Sequence, residues 1–229
     1  MLAGVVPCPS GWLAATAKLQ GITISPEDPQ VFSELLAVLD YKPAFDVVAL
    51  FCPVGLPDSS VARGRRCDRD ARRLLGWPRS GAVVSAPGRD VVTGVAQVGK
   101  GPSLAGMSAI SRHRARRIAE VDQHMAPYWQ RTVVEVHAEM SFYQLNDDRP
   151  LRFSKRKNAG IEERRLLLEA RIPGVERILD ARLRGVRVEH LADAAACLWT
   201  ARRIVSRAVE RVPEDPEWDS MGLRMEIVR

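Results

Sequence analysis

The densest concentration of side chains with binding chemistry is the run Arg63–Leu75, which carries Arg63, Arg65, Arg66, Arg69, Arg72 and Arg73 around Asp68 and Asp70. A guanidinium is planar and presents forked donors that match the oxygens of phosphate and carboxylate. At helical spacing these arginines have two uses. They can hold a phosphate backbone, or they can pair with Asp68 and Asp70 on a solvated face, and the spacing favours the pairing. Arg112, Arg114, Arg116 and Arg117 form a second basic cluster, and Lys155, Arg156 and Lys157 a third. Such patches make one groove only where the fold brings them together. His190 and Asp193 lie three residues apart, on one face of a helix. By themselves they read as a common solvated pair.

The charge balance permits an anionic partner without requiring one. Basic residues outnumber acidic ones by 34 to 28, the net charge is +6, and 29 of the basic residues are Arg against 5 Lys. Aromatic residues do not alternate with the basic clusters as a base-stacking platform would require. Cys8, Cys52, Cys67 and Cys197 are widely spaced without a CxxC pair, which argues against a zinc site or a disulfide scaffold. Gly99-Lys-Gly-Pro-Ser103 lacks the spacing of a phosphate loop. No apolar run approaches the ~18–20 residues that cross a bilayer, and the N-terminus lacks a signal-peptide pattern. The expected location is the cytoplasm, with no membrane partner.

The elements that must position these groups follow from periodicity. Leu2–Val6, Gly11–Leu19 and Ile22–Ser25 read as a strand meander. Pro26 and Pro29 then open a predicted helix, with Asp28 as N-cap and Val31, Phe32, Leu35, Leu36 and Leu39 as its apolar face. Asp46–Phe51 and Arg131–His137 are apolar runs of the kind found in strands covered on both faces. Helices are predicted over Arg63–Leu75, Ser108–Met125, Ile161–Arg171, Val175–Arg184 and Glu189–Val209. Residues 76–106 and 146–160 read as irregular, Pro213 and Pro216 as a turn, and Leu223–Val228 as a last strand. The pattern predicts one α/β domain over 1–229, a mixed sheet with flanking helices and a helical insertion at about 52–130.

Several segments then become recognisable together: RRCDRDARRLLG at 65–76, EVHAEMSF at 135–142, Ser154–Arg164, Asp193–Ile204 and GLRMEIV at 222–228. With Leu2–Ala15 and Val47–Asp58, in this order, the chain resembles a prokaryotic family of predicted RNase H-like nucleases, a domain of unknown function. The resemblance implies an RNase H-like mixed sheet, with a three-stranded antiparallel meander followed by parallel strands. It also implies carboxylates on the first strand, the fourth strand and the last helix, holding two divalent ions such as Mg²⁺ or Mn²⁺. Here Val6 stands in GVVPCPSGW where the family has Asp, and Phe51 stands in ALFCPVGLP where it has a second acid. Neither side chain ligates a metal ion. Asp193 remains at the last-helix position, and Glu135, Glu139, Asp68 and Asp122 survive in their segments.

The resemblance therefore implies an impaired site. Asp193, Glu135 and Glu139 are candidate catalytic residues, vestigial or relocated, with Asp193 and Glu135 as weak metal ligands. Arg65, Arg66, Arg69, Arg72, Lys155 and Lys157 are candidate nucleic-acid contacts. The expected function is that of a pseudoenzyme, a scaffold binding nucleic acid or protein, or a homo-oligomer, with no cofactor. The alternative is a divergent nuclease or phosphodiesterase using Mg²⁺ or Mn²⁺ in a relocated acidic site. Cys8 and Cys52 follow the two lost acid positions, where a thiol pair could hold a soft metal or act in redox chemistry, although a plain packing role is the simpler account.

Overall fold

Small and apolar residues dominate both faces of Leu2–Cys8 (β1), and a central strand covered on two sides is the result. The computed structural model describes residues 1–21, 23–98 and 109–229. β1 pairs antiparallel with Gly11–Gln20 (β2), in a register running from Leu2 opposite Ala17 to Cys8 opposite Gly11. Thr23–Pro26 (β3) continues the meander against β2; Ile22, expected to begin this strand, lies outside the described residues. The other edge of β1 pairs in parallel with Val47–Leu50 (β5), which pairs in parallel with Val133–Glu135 (β6). The sheet order is β3-β2-β1-β5-β6, so the protein is a mixed α/β fold on a mixed sheet.

The helix expected after Pro26 is shorter and begins later. Gln30–Phe32 is a strand (β4) that pairs with β2, placing Val31 opposite Leu13 and Phe32 opposite Trp12, and the helix α1 spans only Leu35–Leu39. Asp28 caps nothing in that helix; its carboxylate accepts from Arg177 at 2.6 and 3.0 Å. Between β5 and β6 the chain forms Arg66–Arg79 (α2), Arg89–Val98 (α3) and Ala109–His124 (α4). α3 lies in a stretch whose Gly and Pro content suggests irregular structure. Ala138–Leu145 (α5) follows β6 at once, although the sequence pattern marked no helix there.

Helices Asn158–Glu169 (α6), Glu176–Leu179 (α7) and Val188–Val205 (α8) come next. The Pro-containing stretch Arg211–Trp218 is a strand (β7) rather than a turn, and it forms a hairpin with Arg224–Val228 (β8). One parallel bridge, Val136 to Val228, ties this hairpin to the end of β6.

Side chains alternate between two cores, as the pleat requires. Leu2, Val6 and Cys8 face α8 and its neighbours, whereas Ala3 and Val5 face α1 and α4. A smaller core joins α2, α5 and the hairpin through Cys67, Met140 and Ile227. Among the described residues, no helix is long and apolar enough to cross a membrane.

Candidate functional site at the strand ends

The parallel strands β1, β5 and β6 finish at one edge of the sheet, and α/β folds commonly place ligands at such carboxyl ends. Cys8, Phe51, Cys52, Val136 and His137 emerge there around a cavity of about 640 Å³. Arg65 and Asp68 come to it from α2 and the residue before it, His113 and Arg114 from α4, and Arg187 and His190 from the start of α8. The positions where the resemblance calls for strand acids are apolar. Val6 is buried in the core under α8, and Phe51 packs edge-on against His137, with ring centroids 4.7 Å apart.

Each surviving acid already has a cationic partner. Glu135 is 6% exposed and accepts two bonds from Arg65, at 2.6 and 2.8 Å, and one from the Val54 N–H at 2.6 Å. The same guanidinium donates to Asp68 at 2.9 Å and to the carbonyls of Val54 and Gly55. Asp68 also accepts from the Ala86 N–H at 3.1 Å. Burial raises the Glu135 carboxyl pKa, and Arg65 opposes that only in part. At Asp68 burial also pushes upward, but Arg65 and the surrounding N–H donors outweigh it and lower the pKa.

Glu139, in the first turn of α5, accepts from Arg164 at 2.8 and 3.0 Å, and Arg164 also donates to the Phe153 and Gly160 carbonyls. Asp193, on α8, pairs through Oδ2 with Lys155, whose Nζ stands 5.9 Å from the centroid of the Phe51 ring. Among the described residues, the Oδ1 of Asp193 is buried without a hydrogen-bond partner. Asp122 lies on Arg89 at 3.0 Å, as does Asp219 at 2.6 Å. Glu135 and Asp193 are each paired with a separate cation and, so paired, do not fit a two-metal centre. Among the described residues, no three His, Cys, Asp or Glu side chains form a metal-binding group.

Arg65, Arg69 and Arg72 turn inward, whereas Arg63 and Arg73 are exposed. Arg65 is 3% exposed and is taken up by Glu135 and Asp68. Arg69 donates to the Gly64 carbonyl at 2.7 Å, and Arg72 to the Val83 carbonyl and the Ser85 hydroxyl at 3.0 and 3.1 Å. Arg66 and Lys157 are exposed, whereas Lys155 points at Asp193. Cys8 and Cys52 both line the cavity as free buried thiols, and burial pushes the pKa of each upward, away from the reactive thiolate. The Gly99–Ser103 segment lies outside the described residues.

His113 and His137 are cavity residues that the sequence did not single out. Burial lowers the pKa of both, and with the Lys155 charge it takes His137 to about 3. His190 is lowered too, first by burial and then by Arg187, and its Nδ1 accepts from the Arg187 N–H at 3.1 Å. Lone histidines carry no sequence pattern; only the convergence of three elements brings these together.

No curated protein and no solved structure matches the chain. Residues 4–218 match the family described as Protein of unknown function (DUF429), and the chain belongs to that family.

Proposed function

We propose that this protein is a non-catalytic member of an RNase H-like nuclease lineage, and that it binds nucleic acid at the edge where β1, β5 and β6 end. The sheet order, with β2 antiparallel to its neighbours and β1, β5 and β6 parallel, supports the RNase H-like reading. One observation carries the loss of catalysis: every candidate acid is neutralised by a built-in cation, Glu135 by Arg65, Glu139 by Arg164 and Asp193 by Lys155. Carboxylates that hold two divalent ions must be free to offset the ions' charge, and these are not. Arg114 and Arg156, which line the cavity and form no ion pair among the described residues, support an anionic ligand.

A specific observation favours a second reading, a divergent Mg²⁺- or Mn²⁺-dependent phosphodiesterase. Asp193 Oδ1 is a buried acceptor without a partner among the described residues, and a cation that displaced Lys155 would find it available. A nuclease assay on single-stranded and duplex DNA and RNA with Mn²⁺, beside Asp193→Ala, separates the two. No cleavage by the folded protein is the expected result. Cleavage that disappears in Asp193→Ala overturns the non-catalytic reading.

A further inference from the structure

The cavity at the strand ends holds more recognition chemistry than a stretch of phosphate backbone would use. His137 lines it, and among the described residues its Nδ1 is buried with no hydrogen-bond partner. A ligand group that met this atom would supply the hydrogen bond it lacks. Arg114 is partly buried and forms no ion pair among the described residues. Its Nη1 and Nη2 donate to the Ser85 and Val84 carbonyls at 2.9 and 2.8 Å, so other N–H donors of its guanidinium are left over. Arg156 is exposed at the rim and likewise forms no ion pair among the described residues. Phe51, Val83, Val136 and Ile227 supply apolar wall between these polar points.

An inorganic anion alone would leave the apolar wall and His137 uncovered. A neutral ring alone would leave the guanidinium donors unmet. From this geometry, and resting on the reading of the cavity as a binding site, we infer that it takes a nucleoside monophosphate. The heteroaromatic ring lies along the apolar wall beside His137, and the phosphate meets Arg114 and Arg156. The cavity's size of about 640 Å³ lies within the usual ~300–1,000 Å³ of small-ligand sites. The same moiety occurs as a free nucleotide and as the phosphorylated end of a nucleic acid. Arg114 also balances, at longer range, the surplus negative charge of Glu135 and Asp68, so Arg156 is the cleaner residue to vary.

The test is isothermal titration of the full chain with adenosine 5′-monophosphate, adenosine and inorganic phosphate. Competition by a short oligonucleotide bearing either a 5′-phosphate or a 5′-hydroxyl follows. The monophosphate is expected to bind saturably, about tenfold or more tighter than adenosine or phosphate. Arg156→Ala, and Arg114→Gln with its fold checked by circular dichroism, are each expected to weaken it by about tenfold, the scale of one charge-assisted hydrogen bond. Competition by the 5′-phosphorylated oligonucleotide alone assigns the source to a nucleic-acid end. Competition by neither oligonucleotide assigns it to a free nucleotide. Equal binding of all three small probes, or binding that Arg156→Ala leaves unchanged, overturns the inference. Oligonucleotide binding that ignores the terminal phosphate and both substitutions overturns it while the nucleic-acid-binding reading stands. Mn²⁺-dependent cleavage lost in Asp193→Ala overturns only the non-catalytic reading.

Discussion

A buried carboxylate is costly unless something compensates it, and the identity of that partner decides what the carboxylate can do. Glu135 and Asp68 share one guanidinium, so the single positive charge of Arg65 is what compensates them. His137 obeys the same rule from the other side. Burial and the nearby Lys155 lower its pKa to about 3, against an ordinary value of 6.5, so the folded protein keeps it neutral. Between those values the unfolded chain binds a proton that the folded chain refuses. His137 therefore favours folding fully above about pH 6.5, and that contribution drains away as pH falls toward 3. Melting temperature should decline over this window, and His137→Gln should flatten the decline. An unchanged pH profile in the variant would mean that the imidazole is hydrated and titrates normally. None of these pairings was legible beforehand. The partners of Glu135, Glu139 and Asp193 lie 70, 25 and 38 residues away along the chain, and only tertiary folding brings them within reach.

Among the elements, the contact of α8 with β1 sets the site, because it fixes Asp193 and His190 relative to the strand ends. That contact depends on Gly4. A Cβ there would lie 2.2 Å from the Ala194 carbonyl oxygen and from the Leu198 nitrogen, both backbone atoms that cannot rotate away. Gly4→Ala should therefore separate strand and helix and cost about 1–3 kcal/mol or more, the range of overpacked cores. Gly81→Ala is the control, since a Cβ there meets nothing within 4 Å. Equal midpoints for the two variants in urea unfolding would show that α8 does not press on β1.

The elements with strong local signals were legible in the sequence. β1, β2, β5 and α8 carry unbroken apolar periodicity, and their predicted positions agree with the structure to within a few residues. Elsewhere local signals conflicted. Val31 and Phe32 fit a helical stripe as well as a strand, and pairing with Leu13 and Trp12 decided for the strand. The α2 arginines have helical spacing, but spacing alone does not tell a solvent-facing guanidinium from one that folds back onto backbone carbonyls.

For the molecule as a whole, net charge and usable charge differ. The +6 balance rests on many arginines, yet a large share of them hold the fold together. Arg89 joins Asp58, Asp122 and Asp219, Arg165 joins Glu169 and Asp180, and Arg229 joins Asp148 and Glu210. Of the six residues expected to touch phosphates, Arg66 and Lys157 alone are exposed and turned away from the interior. On the proposed nucleic-acid-binding reading, a compact site rather than a long basic groove is the expectation. Salt dependence measures this directly, because each neutralised phosphate adds about 0.9 to the slope of log affinity against log salt on duplex DNA. With about two or three contacts around the cavity mouth, raising salt from about 50 to about 200 mM should weaken duplex binding only about tenfold to fortyfold. Fluorescence anisotropy on a labelled duplex at the two salt concentrations gives the number. A loss of about a thousandfold would require six or more phosphate contacts, and the basic surface would then have to extend well beyond the strand ends.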